Sequence, residues 1–349
     1  MTSGQKSSRQ IPIIVGVICA LIGAGYAYFV FHAGQTNPAP NVTAGAPVAP
    51  ATVPANVPAA NTQRVRIGSF STAIDYAPMI VARSKGWITE ALGLPANQVE
   101  FTTFQTLPTI NEAFAADKLD VVFEAEVPAI VGRAAGIDIQ ITALGATLNE
   151  GILVRSDLSI SSIRGLKGHS VAVLAGTAMQ FGLVNLVKAA GIDLASVKQV
   201  NMVPPDAAAA FSSHQIDAWA VWPPWPEQQA ISKAGRFIPE SNCRVQSVVV
   251  MRGGFIRSGT AAPNVIAAIR RAKVWLAANP AEGATLVAKE LGLPEEVVKL
   301  AWPKHDWAAE LTPEVTHDIG AKAAFLLDQK MIQRPVNLSE LVNPLSGKQ

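Results

Sequence analysis

Residues 165–177, GLKGHSVAVLAGT, and 204–222, PPDAAAAFSSHQIDAWAVW, decide how this chain folds. In the first, Ser170–Leu174 is a short run of small and β-branched residues. It ends on Ala175-Gly176-Thr177, and a helix-like stretch follows from Thr177 to Ala190. A glycine and then a hydroxyl residue at that junction read as a tight turn and a helix cap. The second stretch reads as proline, short helix, and then an apolar run over Asp217–Val221. Between the two lies a further strand candidate, Val197–Val203. Strands alternating with helices in this way predict a mostly parallel sheet covered on both faces.

The same alternation extends outward in both directions. Strand candidates are Val65–Phe70, Val99–Phe104, Asp120–Phe123, Asp138–Leu144, Ile152–Arg155 and Val245–Met251. Helix-like stretches cover Ala73–Ser84 and Thr109–Ala116, and Pro263, Pro280, Pro294 and Pro313 mark helix starts in the last third. An internal echo also appears. Pro108, Ala113, Phe114, Leu119 and Asp120 line up with Pro205, Ala210, Phe211, Ile216 and Asp217 at a constant offset of 97. Either two βαβ units are alike by chance, or the chain folds as two alike α/β lobes. In the second case a ligand would sit beyond the carboxyl ends of the strands, in the cleft between lobes.

Composition narrows the function. The chain has 349 residues, of which 49% are hydrophobic and 15% charged, with a net charge of +2. No surplus of Lys and Arg is left to meet phosphates, so no nucleic-acid partner is expected. The excess charge comes from Lys6 and Arg9, because residues 1–63 hold no acid and the remainder is balanced. Residues 1–10 read as a cytoplasmic segment. Residues 11–33 begin with the uncharged run Ile11–Phe31, which as a helix would rise about 31 Å, close to a hydrocarbon layer. This is a transmembrane helix serving as anchor, or else a cleaved signal peptide; either would export the rest of the chain. Residues 34–63, with six Pro, eight Ala and no charge, read as a disordered tether.

Gly165-Leu-Lys-Gly168, Val171 to Thr177, Pro204 to Ala207 and Ile216 to Trp222, in this order and spacing, resemble the aliphatic sulfonate, taurine and nitrate group of ABC-transporter substrate-binding proteins. Tyr76-Ala-Pro-Met79, with Ala82 and Gly86-Trp87, resembles the start of that family's first lobe. The resemblance covers about Arg64 to Leu327. It implies an α/β, two-lobed type II periplasmic binding protein, with crossings near Ile152–Arg155 and Val245–Met251. Lobe I would comprise 64–153 plus 246–345, and lobe II 154–245.

Several residues are candidates for holding a ligand. Gly176 and Thr177 open a helix, where free N–H groups and the helix dipole favour an anion, and the family places its anion contacts here. Thr177 also suits an ordinary cap. Ser71 and Thr72 occupy the matching turn of the first lobe, and Tyr76 comes soon after. Glu126 falls where relatives often carry Ser or Asp, with Glu124 pointing elsewhere, and Glu150 resembles a glutamate of taurine-type relatives. Two carboxylates in one cleft would repel each other unless a cation sat between them, which suits a ligand bearing an amine. Trp222 and Trp225 could cover an alkyl chain or a cation. Relatives usually carry an acid where this chain has Pro223. Trp219 reads as core.

Catalytic chemistry has little support. The five histidines show no metal spacing, Lys304-His305-Asp306 reads as surface or packing, and no nucleophile or nucleotide motif occurs. Cys19 and Cys243 form no ligand motif. The expectation is a non-enzymatic, monomeric solute-binding component of an ABC importer, without cofactor or metal. It would take a small sulfonate-like or amino-bearing anion and serve a permease and its ATPase. It would be tethered in the periplasm, or soluble there after cleavage. An exported sensory ectodomain, or an enzyme of the same fold of thiamine-precursor type, remain the alternatives.

Overall fold

The computed structural model describes residues 64–345 except 71, 72 and 106 and the side chain of Leu107. The expected membrane segment, 11–33, and the tether, 34–63, lie outside the described residues. Among the described residues no helix is long and apolar enough to cross a membrane.

Eleven strands form two sheets among these residues. In chain order they are β1 (Val65–Phe70), β2 (Val99–Phe104), β3 (Val121–Ala125), β4 (Ile139–Glu150), β5 (Leu153–Arg155) and β6 (Ser170–Val173). Then come β7 (Lys198–Asn201), β8 (Ala218–Ala220), β9 (Gly235–Phe237), β10 (Cys243–Arg252) and β11 (His305–Asp306). The first sheet runs β11-β4-β10-β3-β1-β2 and the second β7-β6-β8-β5-β9. The stretches at 65–70 and 99–104, rich in β-branched and aromatic residues, are strands as expected. The very short β9 and β11 carry no legible alternation.

The expectation of mostly parallel sheets needs correcting. β1 to β3 and β6 to β8 pair in parallel, but β10 is antiparallel to both β3 and β4, and β5 is antiparallel to both β8 and β9. Connectivity is the reason. The chain leaves the first sheet at Glu150, enters the second at Leu153, and returns through 238–242 to β10, which therefore runs back beside β4. Val245–Met251, expected as a crossing, lies wholly within β10. The two crossing segments are tied by Ile238 N–H donating to Ile152 O at 2.9 Å and Ile152 N–H to Ser241 Oγ at 2.8 Å.

The echo at an offset of 97 has a physical basis. Asp120 accepts the Arg66 N–H at 3.0 Å while its own N–H donates back to Arg66 O. Asp217 accepts the Ser170 N–H at 2.9 Å and donates its own to Ser170 O. Each aspartate thus fixes its own strand against the first strand of its βαβ unit. Burial would raise both carboxyl pKa values. Arg66 and Arg252 around Asp120, and Ser170 and His169 around Asp217, hold them below the ordinary range instead.

Helices flank both sheets. The helix Ala178–Ala189 comes after β6 and approaches β10 closely at Gly182, where a Cβ would stand 2.6 Å from the Cβ of Cys243. Only a glycine lets the two backbones come so near. Gly182→Ala is expected to destabilise the protein by about 1–3 kcal/mol through overpacking, read as a lower midpoint in urea. In the background of Cys243→Gly, which removes both the thiol and the Cβ that the new methyl would meet, the same substitution should lose clearly less. Equal losses in both backgrounds would refute this account of Gly182.

Candidate functional site

Residues from both sheets wall a single cavity. Phe70 at the end of β1, Ala125 at the end of β3, Leu148 on β4 and Val245 on β10 come from the first sheet, with Asp75, Tyr76 and Pro128 beside them. Thr177, Ala178 and Met179 at a helix start, and Trp222 after β8, come from the second. The wall is predominantly apolar. Its interior leaves about 30 Å³ for the centres of water-sized molecules, space for about two waters.

Local sequence explains the helix start. Gly176 sits at φ +75°, the left-handed region that glycine enters without strain, and turns the chain from β6 into the helix. Its N–H donates to Gln180 Oε1 at 3.0 Å. Thr177 is the cap: its hydroxyl donates to Leu174 O at 2.7 Å and accepts from Gln180 N–H at 3.4 Å. The first-turn N–H groups of Ala178 and Met179 have no carbonyl of their own helix to meet, so this end of the wall carries partial positive charge.

Of the predicted residues, Tyr76, Thr177 and Trp222 come together in the wall. Trp222 meets Phe70 with ring centroids 5.8 Å apart. Gly176 lies one residue behind the wall. Trp225 packs on the buried Trp219 at 6.3 Å and is not among the wall residues. Ser71 and Thr72 lie outside the described residues.

Glu126 and Glu150 are fully buried and do not converge on a common cation; each has a lysine of its own. Glu126 is ion-paired with Lys322 and accepts the Gln246 N–H at 3.0 Å; Lys322 also reaches Asp318 at 2.9 Å. Glu150 holds Lys304 at 2.8 and 3.1 Å and the Gly151 N–H at 2.7 Å. Lys304 in turn reaches Glu227 at 2.6 Å on the helix Trp225–Ile231, and its ammonium lies 3.8 Å from the centroid of the Phe237 ring. The trio ties the first sheet to the second. Burial, and then the charge of Glu227, raise the Glu150 carboxyl against the pull of Lys304. Burial likewise raises Glu126 against Lys322.

Sequence reasoning passed over Asp75 and gave Glu124 no role. Asp75 is 4% exposed, lines the cavity, and its Oδ1 has no hydrogen-bond partner among the described residues. Burial pushes its carboxyl up to about 7, and that of Glu124 up to about 8. The Tyr76 hydroxyl is raised as well, by burial first and then by the charges of Asp75 and Glu124. Asp75 directly precedes the Tyr76-Ala-Pro-Met79 motif, and that adjacency was the available signal. His305, expected at the surface or in packing, is buried, stacks on Trp307 at 4.6 Å and is lowered to about 4 by burial.

Comparison with known proteins places these features among relatives. The model of the NMT1-like family matches residues 58–292. An aliphatic sulfonates-binding protein of Bacillus subtilis is 30% identical over 179 residues, 50% of this chain and 53% of that protein. The match therefore spans about half of that relative. An aliphatic sulfonates-binding protein of Escherichia coli is 23% identical over 299 residues, 82% of this chain and 92% of that protein. The crystal structure of the periplasmic aliphatic sulphonate binding protein SsuA from Escherichia coli superposes with a TM-score of 0.70 at 21% identity, covering 82% of this chain and 95% of that one. The fold is thus shared.

The buried acids make stability depend on pH in a definite direction. A carboxyl whose folded pKa is raised stabilises fully below its unfolded pKa, and the contribution is lost as pH rises through the folded one. His305, lowered on folding, acts oppositely but only between about pH 4 and 6.5. From pH 6.5 to 8.5, losses at Asp75 and Glu124 should lower stability by about 3 kcal/mol, and Glu150, also raised to about 8, falls in the same direction. Thermal melts across that range should show a falling midpoint, and Glu124→Gln should flatten the fall. A midpoint independent of pH there would contradict the assignment.

Proposed function

Because the chain belongs to the NMT1-like family, within the ABC-transporter substrate-binding proteins of the aliphatic sulfonate, taurine and nitrate group, we propose that it is the solute-binding component of an ABC importer. Its ligand is a small sulfonate-like or amino-bearing anion, held between lobe I, residues 64–153 with 246–345, and lobe II, residues 154–245. It changes no covalent bond; it closes on the ligand and presents it to a permease served by an ATPase. The chain works as a monomer in the periplasm, tethered through residues 11–33 or free if that segment is cleaved.

One observation carries this reading: a cavity built jointly by both sheets, with the helix start at Thr177–Met179 on one side and Tyr76 on the other. The N–H groups of that helix start are suited to an oxyanion, and local dipoles must do this work because the wall has no cationic side chain among the described residues. Phe70, Trp222 and Met179 offer apolar surface to a short alkyl chain. The interior is too small for a sulfonate without separation of the walls, so uptake requires the lobes to part about the segments near 151–152 and 238–242.

The test is intrinsic tryptophan fluorescence of the full-length protein in detergent, titrated with taurine, alkanesulfonates and nitrate. A saturable change is expected with at least one sulfonate, since Trp222 lies in the wall. Thr177→Ala, which removes the cap that sets the helix start, should weaken binding about fivefold. Flat titrations across the whole panel would refute the ligand assignment.

A further inference from the structure

We propose that Asp75 is the specificity-determining residue of this cavity and that it selects ligands carrying an ammonium group over simple alkanesulfonates. The inference rests on the sulfonate-type reading above and narrows it to short zwitterions, with an oxyanion at one end and a primary amine at the other.

Four other buried acids are each met by a cation. Asp120 has Arg66 and Arg252, Glu126 has Lys322, and Glu150 and Glu227 share Lys304. Asp75, 4% exposed in the cavity wall, has no cation beside it, and its Oδ1 accepts no hydrogen bond among the described residues. Glu124 also lacks a cation there, but it is not among the wall residues. The groups around Asp75 are the Glu126 carboxyl, the Tyr76 hydroxyl, and the Ser247 hydroxyl, which donates to the Asp75 carbonyl at 3.3 Å. None of these supplies a positive charge. An unpaired carboxylate in such a place is strongly disfavoured, so the group holds its proton near neutrality. A ligand ammonium would supply the missing countercharge and the missing donor together.

The wall then holds groups complementary to both charges of a zwitterion. The helix start at Thr177–Met179 presents N–H groups to an oxyanion, and Asp75 presents a carboxylate to an ammonium. Phe70 and Trp222, whose rings meet, add apolar surface to the same wall. A ligand with a methyl group in place of the ammonium would leave Asp75 unpaired or protonated, and a site holding an unmet buried polar group discriminates strongly against such an analogue. Binding of the ammonium form also releases the proton that Asp75 holds, so affinity for a zwitterion should rise with pH while Asp75 titrates.

The experiment compares taurine with propane-1-sulfonate, which has the same number of heavy atoms, by calorimetry on the full-length protein at pH 6, 7 and 8. Taurine should bind at least tenfold tighter at pH 8. Its advantage should shrink towards pH 6, and its heat should vary with the ionisation enthalpy of the buffer because protons are released. Asp75→Asn, nearly isosteric and neutral, should bring the two ligands within about twofold of each other, with thermal melts reporting whether it folds. The wild-type pH series tests the same point without any substitution. Equal binding of both sulfonates at every pH, or tightening of both as pH falls, would overturn the role of Asp75 while leaving the sulfonate reading intact. If neither sulfonate bound, that reading would fall, and this inference with it.

Discussion

The antiparallel ladder between β4 and β10 is the constraint on which the rest of the structure depends. It runs from the pair Glu150–Cys243 to the pair Ile139–Arg252, with two register shifts along it. The second sheet is inserted between these two strands, so both of its covalent connections start from one end of the ladder. That end also carries the buried Glu150, the Ile152–Ser241 hydrogen bond and the close contact of Cys243 with Gly182. A change there bears on how the two sheets sit together, and therefore on the cavity they jointly wall.

Buried charge is the second organising element. A carboxylate removed from water is tolerated only with a partner, and breaking such a pair by deleting one member is far more damaging than never having it. Lys304 and Lys322 supply those partners from the helical last third, across 154 and 196 residues of chain from Glu150 and Glu126. This third therefore acts as more than a covering layer. It neutralises acids contributed by the sheet region and, through Lys304 and Glu227, links the first sheet to a helix of the second. Asp75 receives no such partner in the cavity wall, and that difference separates an acid serving the fold from one available to a ligand.

Much of this was legible in the residues. β1 and β2 coincide with stretches rich in β-branched and aromatic residues, and Thr177 caps its helix as a hydroxyl after a glycine turn should. The echo between Asp120 and Asp217 marks the same reciprocal backbone pairing in each sheet. These are local relations, decided by neighbours a few residues away or by one repeated unit. The antiparallel course of β10 was not legible, because a strand's own pattern does not reveal which way its neighbour runs. Nor was the fate of Glu126 and Glu150 legible. Their positions suggested two acids facing one cleft, and the lysines that claim them carry no sequence mark of that role.

By itself, then, the sequence determined the α/β class, the repeated βαβ unit, the glycine turn that places a helix start at the cavity, and the family resemblance. Each is written in short-range patterns of apolar, glycine and capping residues, where the energies are local. Only the tertiary structure decided which acids are neutralised and which are left without a cation, and which aromatic residues face the cavity. Those outcomes depend on burial and on long-range proximity, and a carboxylate's behaviour is set by whatever cation the folded chain brings within about 3 Å of it.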